Sequence, residues 1–215
     1  MKTRPETRKG GRTRQKALQA AVKLSARHGF AETSFQMIAD AVGLSQSAVM
    51  YHFPDKNALL AGMVETMIAR NHETVEGLMR LDDGAGDRLL KHCLGNVLWA
   101  LRNRDGDAQV LPVLYYLAAR GGASSGLFSG MIKVGRERLV GHLLAGIREG
   151  LFKLKDEPAA VAETIQDALF GAMLYAASVP GADRGTAELE SKWRGFLAAL
   201  TGWKPSAPVL PKGAL

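Results

Sequence analysis

The chain has a single cysteine, Cys93, among 215 residues. An intramolecular disulfide and a thiolate metal cage are therefore out of reach, which excludes a disulfide-dense secreted scaffold and fits a reducing compartment. Long apolar runs are missing as well. The longest stretch without charge or a strong polar break is Val110–Ala119, and Pro112 interrupts it; a membrane-spanning helix needs about 20 apolar residues. No apolar segment follows the basic start Met1–Pro5, as it would in a secretory signal. A cytoplasmic protein with no membrane partner is expected.

Catalytic constellations are equally scarce. Gly121–Gly126 runs into Leu127 rather than a lysine, so it makes no phosphate-binding loop. The histidines at 28, 52, 72, 92 and 142 lack zinc-protease spacing. His92 and Cys93 are adjacent on a predicted helix, so their side chains diverge by about 100°. His72 with Glu76, and Asp82–Asp83 with Asp87, read as solvated charge rather than metal ligands. No enzyme, no cofactor and no metal is expected.

What the chain does have is basic charge in one place. Residues 1–56 hold ten Lys and Arg against four Asp and Glu, whereas the remainder holds 18 against 17. A charge asymmetry of this kind points to a polyanion, either nucleic acid or an anionic surface, at one end; a solubilising tail is the plainer reading. Arg4, Arg8, Lys9, Arg12 and Arg14 are either solvated or drawn to phosphates.

The rest punctuates into helices, with no alternating strand pattern and no repeat. The expected architecture is all-α: a basic flexible arm over 1–11, a small helical domain over 12–56, a larger helical domain over 57–202 and a loose Pro-rich tail over 203–215. Predicted helices cover 12–28, 34–42, 45–52, 55–81, 87–103, 110–120, 124–150, 158–178 and 186–201. Gly29 sits where a C-terminal cap belongs, Thr33 with Gln36 forms a capping-box pattern, and Ser45 is a plausible N-cap.

The basic end carries the most specific pattern. Phe35, Ile38, Ala39 and Val42 share one face of a short helix, Ala39 is small where two helices would cross, and Gly43 permits a sharp turn. The next helix turns Ala48 and Val49 inward and Gln46, Ser47, Met50 and Tyr51 outward. Helix, glycine turn, helix is the pattern whose second helix enters the DNA major groove. Gln46 can pair bidentately with adenine, and a helix N-terminus with Lys56 favours phosphate. Tyr51 has two readings, a contact to DNA or packing against the fourth helix; Ser45 fits a cap better than a base reader.

Residues Thr13 to Glu65 resemble the N-terminal domain of the TetR/AcrR family of transcriptional regulators. The matching blocks are Ala20–Phe30, Thr33–Ser45 and Tyr51–Leu60, spaced without insertions. The resemblance implies DNA contact at Ser34, Ser45, Gln46, Ser47, Met50, Tyr51, His52 and Lys56. Met50 departs from a frequent tyrosine and offers an apolar contact, such as one to a thymine methyl. It also implies that the larger domain binds a small-molecule effector and forms a homodimer on a palindromic operator. The expected function is a repressor that a largely apolar effector releases. An activator or an effector-independent regulator is the alternative, with a small helical enzyme behind it.

On that reading, Met67, His92, Trp99, Tyr115, Tyr116, Phe128, Met131, Phe170 and Met173 are candidate pocket residues, since Met and aromatic side chains suit an apolar ligand. Ile165, Leu169, Ala172, Trp193, Phe196, Leu197 and Leu200 are candidate dimer residues. Their small and aliphatic stripes either meet a second copy or close the monomer's own core.

Overall fold

The computed structural model describes residues 8–179, 181, 185–204 and 208–210. The described residues form nine α-helices and no strand. In order they are α1 Arg8–His28, α2 Phe35–Val42, α3 Gln46–His52, α4 Lys56–Glu76, α5 Ala85–Arg102, α6 Val110–Ala119, α7 Ala123–Arg148, α8 Pro158–Ser178 and α9 Thr186–Thr201, with a 3-10 turn at Asp107–Gln109 before α6. The all-helical expectation holds. α8 begins and ends at the predicted residues, because Pro158 occupies the first turn, where its missing N–H costs nothing.

Three boundaries differ from expectation. α1 starts at Arg8 and takes in Gly10 and Gly11 of the expected flexible arm; the rest of that arm, 1–7, lies outside the described residues. α4 stops at Glu76, and Leu81 beyond it is fully exposed. The domain boundary expected after residue 56 also moves. Two compact units form, Met1–Ile68 with Asp105–Leu127, and Ala69–Arg104 with Phe128–Leu215. Leu59, Leu60, Met63 and Val64 of α4 are buried, and a Cβ on Gly62 would lie 2.9 Å from Leu18 and 3.1 Å from Phe53. The start of α4 is therefore part of the N-terminal core rather than of the larger domain.

In the first unit α1, α2 and α3 pack on one another around Leu18, Ala21, Val22, Ile38, Ala39, Val49 and Phe53. In the second unit α5 is central and packs on α8 and α9. Residues 89–100 of α5 are buried without a break, which is what a helix enclosed on all sides requires. The one lysine in that stretch is correspondingly paired. Lys91 donates to Asp83 at 2.5 Å, and the side chains are 4% and 8% exposed. Asp83, expected to be solvated, is thus a buried counter-ion. The α5 N-terminus has no cap from its own loop; Glu149 accepts the Ala85 N–H at 2.9 Å instead.

Among its described residues, the tail expected to be loose is tied down at Trp203, Val209 and Leu210. Glu190, buried in α9, accepts the N–H of Val209 at 2.7 Å and of Leu210 at 3.1 Å, as well as the Arg194 guanidinium at 2.8 Å. A buried carboxylate is tolerated when its lone pairs are filled in this way. Trp203 packs edge-on to Phe152 and so closely on α5 that a Cβ on Gly86 would fall 2.3 Å from the indole.

Two outcomes are expected. Gly86→Ala forces Trp203 out of place and lowers unfolding free energy by about 1–3 kcal/mol, whereas Gly171→Ala, which meets nothing within 4 Å, does not; urea titration of both variants checks this. Burial alone would raise the Asp83 pKa, but hydrogen bonds from Lys91 and the Arg80 N–H and their positive charges hold it below the ordinary carboxylate range. The stability this pair gives is present above the unfolded carboxylate value of about 4 and is lost as pH falls through the lower folded value. Asp83→Asn leaves the Lys91 charge buried and costs roughly 3–5 kcal/mol at neutral pH. That gap should close in denaturant titrations run progressively below about pH 4; a gap independent of pH counts against the pairing.

Candidate functional site

The α2–turn–α3 segment is built from caps. Ser34 is the N-cap of α2, its hydroxyl accepting the Met37 N–H at 3.1 Å. Thr33, expected in that role, is instead fully buried and donates to the Gly29 carbonyl at 2.9 Å. Gln36 donates to Asp40 at 2.6 Å rather than reaching back to close a capping box. Gly43 ends α2 at φ 68°, a left-handed conformation that glycine adopts without strain, and the Leu44 N–H donates to Ala39 at 2.9 Å. Ser45 then caps α3, accepting the Ala48 N–H at 3.2 Å, and its hydroxyl lies 3.0 Å from that of Ser47. Each cap fixes a helix start that a chain of eight or seven residues could not hold alone.

This fixes which side chains α3 presents. Val49 is fully buried and anchors the helix. Gln46 and Ser47 on the first turn are exposed, Met50 is 40% exposed, and Tyr51 is 82% exposed. Tyr51 therefore does not pack against α4; its ring stands edge-on to the half-buried His52, with centroids 5.3 Å apart. Gln46, Ser47, Met50 and Tyr51 form one outward surface, with Ser34 exposed at the start of α2.

Lys56 is placed differently from a free phosphate grip. Its ammonium donates to the carbonyls of Phe30, at 2.9 Å, and Thr33, and lies 4.9 Å from the Phe30 ring centroid. Burial lowers its pKa, partly offset by Glu32. Two of its three N–H groups thus lock the α1–α2 turn onto α4, and one is left for another acceptor. Arg14 is likewise engaged, paired with Glu65 at 3.0 Å and stacked 5.4 Å from the Phe53 centroid. Its helical register and the distant Glu65 hid this role from the sequence.

The candidate pocket residues divide between the units: Met67, Tyr115 and Tyr116 belong to the first, and His92, Trp99, Phe128, Met131, Phe170 and Met173 to the second. Tyr115 and Tyr116 are half exposed, and Tyr116 stacks with Arg120. His92, Trp99 and Met173 are buried. Phe128 meets Phe170 edge-on, with centroids 5.3 Å apart. Two hollows occur in the second unit. One, of about 520 Å³, runs along α7 past Phe128, Ile132, Arg136 and Val140. The other, of about 410 Å³, lies among Val97 and Leu101 of α5, Ala172 and Tyr175 of α8, and Leu189 and Trp193 of α9. Of the candidates for the pocket only Phe128 lines either hollow.

The candidate dimer residues also divide. Ile165, Leu169, Trp193 and Leu197 are buried within the chain's own unit; for these four the dimer expectation gives way to the monomer core. Ala172, Phe196 and Leu200 are half-buried. Beside them runs an outward stripe: Ala168 and Gly171 of the small-residue run on α8, Tyr175 one turn on, and Gly195 and Ala199 on α9.

Comparison with known proteins agrees with this geometry. Residues 17–63 match the family model described as bacterial regulatory proteins, tetR family. No curated protein matches significantly. Among solved structures, a TetR transcription regulator from Haloarcula marismortui is 21% identical at a TM-score of 0.77, over 89% of this chain and 99% of that one. AibR, solved with isovaleryl coenzyme A and operator DNA, is 20% identical at 0.64, over 88% and 98%. A transcriptional regulator from Saccharomonospora viridis, solved with choline, is 18% identical at 0.69, over 89% and 98%. No helix among the described residues is long and apolar enough to cross a membrane. Residues 17–63 are thus the N-terminal domain of the tetR family of bacterial regulatory proteins, set in a chain with the fold of that family's solved regulators.

Proposed function

We propose that the chain is a sequence-specific DNA-binding regulator that acts as a homodimeric repressor and is released from a palindromic operator by a small molecule. The observation that carries this reading is the outward surface of α3: Gln46, Ser47, Met50 and Tyr51 stand exposed on a helix whose position is fixed by Ser45, Gly43 and buried Val49. Gln46 reads a base edge, Met50 offers an apolar contact, and Ser34, Tyr51, His52 and the remaining Lys56 N–H touch the phosphate backbone. The excess of six positive charges in residues 1–56 draws the duplex in without regard to sequence.

The dimer forms through the outward stripe of α8 and α9. Small residues let two helices from each copy approach closely, and a two-fold axis presents two α3 helices to two half-sites. An effector held in the second unit lowers operator affinity, and linkage requires operator to weaken effector by the same factor. The solved relatives with isovaleryl coenzyme A and with choline support the presence of such a site.

Selection from a random duplex library at physiological salt is expected to enrich a palindrome; a folded dimer that enriches nothing overturns the reading. Gln46→Ala should relax base preference as well as affinity. Lys56→Ala should weaken specific and random DNA alike and also lower the melting temperature, because the Phe30 and Thr33 carbonyls lose their donor. Gly171→Arg, at a position where a Cβ meets nothing within 4 Å, should leave the monomer folded. Sedimentation velocity should then find it monomeric, with operator affinity down by at least tenfold; a dimer that survives this change does not use the α8 stripe.

A further inference from the structure

A buried polar cluster in the second unit is used by neither the DNA interface nor the dimer stripe. His92 on α5 is 4% exposed, and its Nδ1 has no hydrogen-bond partner among the described residues. Buried polar atoms are nearly always satisfied, so an orphan of this kind calls for an occupant. The ring of His142 on α7 stands edge-on to it, with centroids 5.2 Å apart. One turn earlier on α7, Arg138 donates to Glu76 of α4 at 2.5 Å, and its side chain is 25% exposed against 62% for Glu76. The cluster therefore grades inward from an exposed carboxylate, through a partly covered guanidinium and the half-buried His72 and His142, to a buried imidazole.

Its charge balance is one-sided. Among the described residues, Arg138 acts on all three histidines and Arg88 on His142, opposed at His72 and His142 by Glu76. Burial, followed by the charges of His142, Arg138 and His72, pushes the His92 pKa down to about 3. Burial first and Arg138 second lower His142 and His72 too, while Glu76 opposes both shifts. The neutral form is accordingly favoured at all three imidazoles, which lie beside guanidinium charge. No group of His, Cys, Asp or Glu among the described residues is arranged to hold a metal ion, and a cationic ligand would face Arg138.

We propose that His92, His142 and Arg138 form a binding site for an anionic head group, a carboxylate or a phosphate, carried by a small molecule. The anion takes the place of Glu76 at Arg138, in a charge-assisted and geometrically specific contact. It then accepts hydrogen bonds from the ring nitrogens of His92 and His142. Its charge opposes the effect of Arg138 on both histidines and raises their pKa, so binding strengthens as pH falls. The site gives the effector of the proposed regulator an acidic end, and it rests on that reading only for the word effector, since the binding itself is measurable without DNA.

The test is ¹⁵N NMR of the histidine rings in the full-length chain, titrated with sodium butanoate, inorganic phosphate, butanamide and choline. Butanoate or phosphate should move the His92 and His142 nitrogens towards the imidazolium pattern. A response to butanoate alone assigns a carboxylate head, and one to phosphate alone a phosphoester head; both uphold the site. No response to either anion overturns it, as does an equal response to butanamide or choline. Arg138→Gln should lower affinity for the active anion at least tenfold, with the histidine spectrum of the free protein still folded; unchanged affinity overturns the assignment. His142→Gln should flatten the pH dependence, which a merely structural histidine would not do. A chain that binds the anion but selects no operator keeps this site and loses the regulator reading, and the converse result does the opposite.

Discussion

A helix enclosed on every side can carry a polar residue only if that residue is paired or neutral, and α5 is such a helix. Lys91 is paired to Asp83, the α5 N-terminus is capped by Glu149 from beyond the end of α7, and Asn96 turns back onto the His92 carbonyl at 2.8 Å. These contacts reach across 64 residues in one case and only four or eight in the others. α8 and α9 can therefore pack on α5 without stranding a charge. His92 and Trp99 are exceptions on this helix, each with an orphan ring nitrogen.

The N-terminal unit solves a different problem. α2 and α3 are too short to persist by propensity, so their polar residues are divided between holding the turn and facing outward. Ser34, Ser45 and Lys56 have oxygens or N–H groups committed to backbone partners, and Thr33 is wholly internal. Gln46, Met50 and Tyr51 are left as the outward set. On the proposed reading, residues in the first group thus influence DNA binding through position and those in the second by contact.

The sequence disclosed what depends on neighbours along the chain. Gly43 and Ser45 mark the turn, Pro158 opens α8, and Ala39 is small where the helices cross; all are local signals, and all are found in place. The one-residue error at Thr33 arose because either hydroxyl fits an N-cap, and only the buried contact with Gly29 decides between them. What depends on distant partners was not legible. Three prolines suggested a loose tail, but Glu190 lies 19 residues before Val209 and meets it only once α9 has formed. Asp83 beside Asp82 looked solvated until Lys91, two turns along the next helix, was placed over it.

The apolar stripes show the same limit from the other side. Ile165, Leu169, Trp193 and Leu197 recur at helical spacing, which identifies a buried face but not its partner. Here that face closes onto the chain's own core. The surface left for the proposed second copy carries small residues, Ala168, Gly171, Gly195 and Ala199. Substituting a Cβ at either glycine meets nothing within 4 Å, so the monomer has no packing need for glycine there. Glycine inside a helix costs about 1 kcal/mol relative to alanine, and a backbone that must approach another helix closely is the circumstance that offsets it. The stripe's composition therefore argues for a closely apposed neighbour independently of the family's habits.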